Sequence, residues 1–209
     1  MYLGIDLGTS GVKALLIDDG QTVVGSAHGE LDVSRPHPGW SEQDPAQWIK
    51  ACRTAIDGLR AAHPKEFSAI AGIGLSGQMH GATLLDEQDQ VLRPCILWND
   101  TRSYREAAEL DADPAFRAIT GNIVFPGFTA PKLVWVAKNE PEIFTRIRKV
   151  LLNANDRAKA ASRARRDHDV HQVRSAGRPW LTGAEFREAL PAWLRGTGIG
   201  LPFGVIPAG

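Results

Sequence analysis

The amino-acid sequence predicts an α/β fold over residues 1–152, a mixed sheet with flanking helices, and three observations predict it. Residues 1–30 carry three apolar runs of strand length separated by turns rich in Gly, Asp and Ser. One run of helical period follows, between Asp44 and Pro64. A short, nearly all-apolar stretch at 69–76 then ends in polar residues bracketed by glycines, and open α/β sheets bind their ligands just beyond such strand ends.

The elements can be justified in order. Tyr2-Leu3-Gly4-Ile5-Asp6-Leu7 and Val12-Lys13-Ala14-Leu15-Leu16-Ile17-Asp18 flank Gly8-Thr9-Ser10-Gly11, which predicts a hairpin. Asp18-Asp19-Gly20 marks a second turn and Val23-Val24-Gly25-Ser26-Ala27 a third strand, so the three form an antiparallel meander. The helix start is signalled by Asp44 as cap, Pro45 where a missing N–H costs nothing, and Gln47 as capping-box partner. Ile49, Cys52, Ile56 and Leu59 recur at helical spacing and give an apolar stripe toward the sheet, and Pro64 ends the helix.

The stretch 69–76 suits a strand buried on both faces. Beyond it Gly77 and Gly81 flank Gln78-Met79-His80, a candidate ligand loop. Strand material at 83–85 and 94–98 encloses a turn at Asp86-Glu87-Gln88-Asp89 and leads to the polar cluster Asn99-Asp100-Thr101-Arg102. Helices are expected near 102–110, 114–119 and 131–147, and another strand begins at Val150-Leu151-Leu152.

Composition bounds the function. The chain has 209 residues, 43% of them hydrophobic, enough for one sizeable core. Its longest apolar stretches fall well short of the roughly 20 residues that cross a bilayer. No membrane partner and a cytoplasmic address are therefore expected. Cys52 and Cys95 lack the spacing of a disulfide framework or a zinc site and read as reduced core thiols. The net charge of zero hides an asymmetry: residues 1–152 carry 15 Lys and Arg against 19 Asp and Glu, and residues 153–209 carry 9 against 5.

The first turn carries chemistry of its own. Glycines at 8 and 11 let the backbone approach a ligand and aim N–H groups at an anion. The Thr9 and Ser10 hydroxyls can bond phosphate oxygens, and Asp6, at the strand end, can hold Mg2+ directly or through water. A polyphosphate is the ligand this suggests; on turn chemistry alone, a hairpin turn without any ligand is an equal reading. A Walker-type loop is excluded, since that needs a Gly-Lys-Ser/Thr ending and a following helix. In the second loop His80 offers a donor and an acceptor to a polar ligand and Met79 a pliable apolar wall. The alternative there is a core methionine and a satisfied buried histidine. Trp98, Asn99, Asp100 and Arg102 read either as a helix-capping run or as support near the ligand, and Trp40 and Trp48 as packing residues.

Gly4-Ile5-Asp6-Leu7-Gly8-Thr9-Ser10-Gly11-Val12-Lys13 resembles the first phosphate motif of the sugar kinases in the actin-like superfamily. Four further segments resemble the xylulokinases within the FGGY carbohydrate kinase family: Ser34-Arg35-Pro36-His37-Pro38-Gly39-Trp40-Ser41-Glu42-Gln43-Asp44-Pro45, Gly77-Gln78-Met79-His80-Gly81-Ala82, Leu97-Trp98-Asn99-Asp100, and Ile119-Thr120-Gly121-Asn122 with Pro126-Gly127-Phe128-Thr129-Ala130-Pro131-Lys132-Leu133. The resemblance implies an actin-like (ribonuclease H-like) N-terminal domain of a sugar kinase, transferring the γ-phosphoryl group of Mg-ATP to D-xylulose. It implies Asp6 as important for activity and for Mg2+, Gly8, Thr9, Ser10 and Lys13 on the phosphate side, and Met79 and His80 on the sugar, with Gln78 and Asp100 as weaker additions. Glycerol kinases carry an Arg-Glu pair in place of Met79-His80, which favours a ketopentose here. A homodimer is a further implication for the full-length family.

The resemblance stops after Leu152. Residues 153–209 are rich in Arg, Ala, Gly and Pro and show no sustained apolar period before about Phe186. The expectation is a non-family tail, largely disordered, produced by a frameshift. Family members also carry a second lobe that binds the adenosine of ATP, and an aspartate base that lies later in the sequence. The chain alone is accordingly expected to be catalytically incompetent. A noncatalytic sugar-binding module and a kinase for another pentulose or polyol are the alternatives. Arg163-Ala164-Arg165-Arg166 and Lys159 allow a nucleic-acid arm, but without interleaved aromatics no nucleic-acid partner is expected.

Overall fold

The structure, a computed structural model, describes residues 1–151. The readings made for 153–209 lie outside these residues. The central sheet has four strands in the order β3 (Val23–Glu30), β2 (Gly11–Ile17), β1 (Tyr2–Leu7) and β5 (Gly72–Gly77). The hairpin and meander are present: β1 (Tyr2–Leu7) pairs antiparallel with β2 (Gly11–Ile17), and β2 with β3 (Val23–Glu30). Two short pairs stand apart, β4 (Glu42–Gln43) with β7 (Cys95–Ile96), and β6 (Thr83–Leu85) with β8 (Lys149–Leu151).

Helix α1 (Pro45–Ala62) crosses one face of the sheet. The Asp44 carboxylate accepts from the Ala46 amide at 2.9 Å, and the chain leaves helical geometry at His63, ahead of Pro64. The buried stripe is displaced by about one residue from the expected one. Trp48, Ala51, Ala55 and Leu59 point at the sheet, while Ile49, Cys52 and Ile56 flank them half-buried. Hydropathy marks the largest apolar residues, whereas close helix–sheet contact selects the small ones, so alanines occupy the centre. Leu3, Ala14 and Leu16 meet Ala55 and Leu59 beneath the helix.

The expected strand at 69–76 is β5, Gly72–Gly77, after a short helix α2 (Pro64–Ser68). It runs parallel to β1, with Tyr2 opposite Gly72 and Leu7 opposite Gly77. Its expected burial on both faces is not observed: Ile73 is 64% and Leu75 40% exposed. An all-apolar run implies burial only where something lies over it, and among the described residues β5 is an edge strand extending past α1.

The second half is mainly helical: α3 (Tyr104–Ala112), α4 (Pro114–Thr120), α5 (Thr129–Asn139) and α6 (Pro141–Arg146). The single helix expected at 131–147 is two. Pro141 has no N–H to continue α5, and Glu140 before it has left helical geometry, with φ −134° and ψ 57°. Pro131 sits within the first turn of α5, where no internal N–H bond is lost. Leu133, Val136, Phe144 and Ile147 close a second core around Leu84 and Ile96. Among the described residues no helix is long and apolar enough to cross a membrane.

Candidate functional site

Because β1 and β5 are parallel, their C-terminal ends lie side by side, and the turn after Leu7 meets the loop after Gly77. The Gln78 amide donates to the Leu7 carbonyl at 2.9 Å. The turn is closed by the Gly8 amide donating to the Gly11 carbonyl at 2.9 Å. A Cβ on Gly11 would lie 2.9 Å from the Gly29 carbonyl oxygen, so the glycine there answers to close backbone approach.

Asp6 and Lys13 face each other across β1 and β2, with Ser76 of β5 on the other side of Asp6. Asp6, Lys13 and Ser10 are exposed, and Gly8 and Thr9 half-buried. These residues form one surface at the strand ends. A group of three metal-ligating side chains is absent among the described residues. Asp6 alone could hold a hydrated Mg2+, most of whose ligands would be water and phosphate oxygens.

The turn is tied to the second loop by a hydrogen-bonded chain. The Trp98 indole donates to the Thr9 hydroxyl at 3.0 Å, and that hydroxyl donates to Gln78 Oε1 at 3.3 Å. Gln78 Nε2 donates to Gln43 Oε1 at 3.3 Å, and the Trp48 indole donates to the same oxygen at 3.0 Å. Gln43, almost fully buried, donates in turn to the Thr9 carbonyl at 2.6 Å and the Asp32 carbonyl at 3.1 Å. Sequence reasoning gave Gln43 no role. Its only signal was a place in a family-like segment, because a buried glutamine satisfied by distant backbone has no local pattern.

Beside this chain lies a cleft of about 300 Å3 lined by His80, Trp98, Asn99, Thr101, Phe125 and Phe128, among others. The His80 and Phe128 rings are 4.7 Å apart, and Phe125 meets Phe128 edge-on at 5.7 Å. His80 adopts a left-handed backbone, φ 63°, uncommon for a residue with a side chain and concentrated at functional positions. Burial, and then the charge of Lys132, hold its imidazole below the ordinary value of 6.5. A neutral ring keeps one donor and one acceptor.

The other expected residues are placed differently. Met79 is 60% exposed and does not line the cleft. Asp100 lines it but is fully buried, and its carboxylate is already engaged. It accepts from the Ser41 amide at 2.6 Å and from Arg102 Nε and Nη2 at 2.9 and 2.7 Å. Arg102 also reaches Glu42 at 2.7 Å and lies 3.6 Å from the centre of the Trp40 ring. Phe125 and Phe128 were not singled out individually, since their neighbourhood with His80 arises from a contact across 45 or more residues of chain.

A sheet whose parallel strands end in a hydroxyl-bearing glycine turn, next to a histidine loop and an aromatic cleft, is an α/β domain with the architecture of the sugar kinases. The profile of the FGGY family of carbohydrate kinases, N-terminal domain, matches residues 1–155, and the chain belongs to that family. Over 153 residues it is 56% identical to the xylulose kinase of Escherichia coli (strain K12), covering 73% of this chain and 31% of that one. Among solved structures, a "xyloylose kinase" from Brucella ovis is 89% identical with a TM-score of 0.71, covering 72% of this chain and 32% of that one. The xylulose kinase of Rhodospirillum rubrum is 37% identical with a TM-score of 0.68, covering 72% and 31%. The chain therefore spans about a third of the length of these relatives. The fold is the actin-like, ribonuclease H-like α/β fold of these kinases.

Proposed function

We propose that the domain binds D-xylulose in the cleft beside His80 and presents it to the phosphate-binding turn, as the sugar-binding part of an ATP-dependent xylulokinase. The observation that carries this reading is the position of His80. Its strained backbone sets a neutral imidazole against Phe128 at the cleft wall, next to the turn at Gly8–Gly11.

The imidazole would donate to one sugar hydroxyl and accept from another, while Trp98 and Phe128 would cover the apolar C–H faces. Gly8, Thr9 and Ser10 would hold phosphate oxygens, with Lys13 beside them in charge. Thr9 would first have to give up its bonds to Trp98 and Gln78. Asp6 would hold Mg2+, which when bound supplies neutralisation of phosphate charge.

We further propose that this chain alone gives little or no turnover. Phosphoryl transfer to a hydroxyl needs a base for its proton, typically worth ~10²–10⁴ in rate. Among the described residues the carboxylate at the cleft is Asp100, and Arg102 already occupies it. The same observation favours a second reading, a sugar-binding module without turnover.

The test combines D-xylulose binding, followed by tryptophan fluorescence, with coupled ADP release from Mg-ATP on the purified 209-residue chain. The expected result is binding, weakened ~10-fold or more by His80→Ala given the usual worth of hydrogen bonds to a site of this kind, with no ADP release above that variant. Equal affinity in wild type and His80→Ala would refute the sugar site, and His80-dependent turnover would refute the inactivity.

A further inference from the structure

The family-like segment Pro126-Gly127-Phe128-Thr129-Ala130-Pro131-Lys132-Leu133 contains a group that the site described so far does not use. Lys132, on α5, is 0% exposed. Its Nζ donates to the His80 carbonyl and to the Gly127 carbonyl, each at 2.6 Å. No carboxylate among the described residues forms an ion pair with it. A buried ammonium without an ion pair is costly to keep, and an apolar side chain of similar length would fill the same space at less cost.

Its two acceptors belong to two loops that meet at one cleft. His80 carries the left-handed backbone and the imidazole of one loop, and Gly127 lies between Phe125 and Phe128 on the other. A charge-assisted bond to each carbonyl fixes two loops that are separated by 46 residues of sequence yet hold rings 4.7 Å apart. A Cβ on Gly127 would collide with the Trp98 carbonyl oxygen, so that loop is also pressed against the third aromatic wall.

We propose that Lys132 is a positioning residue whose buried ammonium ties the His80 loop to the Phe125–Phe128 loop and thereby fixes the His80 ring against Phe128 at the wall of the sugar cleft. The assignment of the cleft to a sugar rests on the reading above, whereas the tie between the loops does not.

The tie should be sensitive to pH. Burial pulls the ammonium from its ordinary 10.5 down to about 8, with Cys95 and Asp100 opposing and Arg102 adding to the fall. The other groups facing it titrate elsewhere or are paired. The His80 imidazole lies below 6.5, burial pushes the Cys95 thiol up to about 11, and Asp100 and Arg102 are ion-paired to each other. Between those limits Lys132 is the group that changes charge at this point. The neutral amine can still donate, but the bonds lose their charge assistance.

The experiment is an amide chemical-shift titration of the 15N-labelled 209-residue chain from about pH 6.5 to about 9.5, a window that avoids ordinary carboxylates. The reporters are the Gly81 and Phe128 amides, each joined directly to a carbonyl that Lys132 holds. D-Xylulose affinity is measured in parallel for wild type, Lys132→Met and Lys132→Arg. The expected result is that both amides move with one shared midpoint near 8, and that sugar affinity falls several-fold over the same range. In Lys132→Met the shared titration vanishes and affinity is weaker by ~5-fold or more, the usual order for losing charge-assisted bonds. Lys132→Arg recovers part of that affinity and does not titrate. A folded Lys132→Met with wild-type amide shifts and unchanged affinity overturns the proposal. So do wild-type Gly81 and Phe128 amides that titrate separately or not at all, a readout that stands even if Lys132→Met fails to fold. Joint titration in a chain that binds no D-xylulose leaves the tie standing and refutes the sugar reading instead.

Discussion

At the scale of single residues, His80 is where backbone, charge and cleft meet. Its left-handed φ leaves the carbonyl for Lys132 and the ring for the cleft, and burial keeps that ring neutral. Above the ordinary value of 6.5 the ring is neutral in both folded and unfolded chains and contributes nothing to the pH dependence of stability. As pH falls through 6.5 the unfolded chain takes up the proton first, so the folded state loses stability until its own imidazole is protonated. The expected outcome is an imidazole C–H titration midpoint below 6.5 by proton NMR, with sugar affinity declining in acid along the same curve. A midpoint at or above 6.5 would show that the ring is not buried as described. The residue identity was legible in the sequence, but its backbone conformation was not. A left-handed histidine has no local signature, and the Lys132 ammonium that donates to its carbonyl lies 52 residues on.

At the scale of elements, the segment from Trp98 to Ser103 is anchored by charge rather than by secondary structure. Arg102 is bidentate to Asp100, reaches Glu42 on β4, and lies over the ring of Trp40 and beside that of Trp135 on α5, 3.6 and 5.1 Å from their centres. Arg93 extends the network from Glu42 to Glu140, the residue that separates α5 from α6. Removing one member leaves the others as uncompensated buried charges. Arg102→Met is therefore expected to cost about 3–5 kcal/mol, measured by urea unfolding, and a cost below about 1 kcal/mol would contradict the burial of this network. The sequence allowed this run to be a capping signal. Only tertiary packing shows the Asp100 carboxylate committed to Arg102 and to the Ser41 amide, 59 residues away.

At the scale of the whole molecule, the central sheet is buried on the face that α1 covers. Leu16 is completely buried there, whereas Ile73 on β5 is 64% exposed although its strand reads as core. Leu16→Ala is expected to cost about 2–5 kcal/mol and Ile73→Ala at most about 0.5 kcal/mol, both by urea unfolding of the 209-residue chain. Equal costs would mean that Ile73 is covered in the native chain and would revise the description of β5 as an open edge. The same contrast explains why hydropathy alone misjudged this strand. Apolar composition records the burial a strand is suited to, and the neighbours available to it decide the burial it has.

The sequence by itself determined the meander, the capped helix at 45–62, the turns at 8–11 and 77–81 that end their strands, and the family. These depend on short-range chemistry: turn residues, helix caps, period and contiguous motifs. Tertiary structure alone decided that the two loops are neighbours through the parallel pairing of β1 with β5, and that Gln43 links them. It also decided that Asp100 is occupied, that Met79 stands outside the cleft, and that Lys132 is buried against the carbonyls of His80 and Gly127. The physical reason is the same in each case. A buried polar group is satisfied by whichever partner the fold brings within about 3 Å, and nothing in the local sequence encodes which distant residue that is.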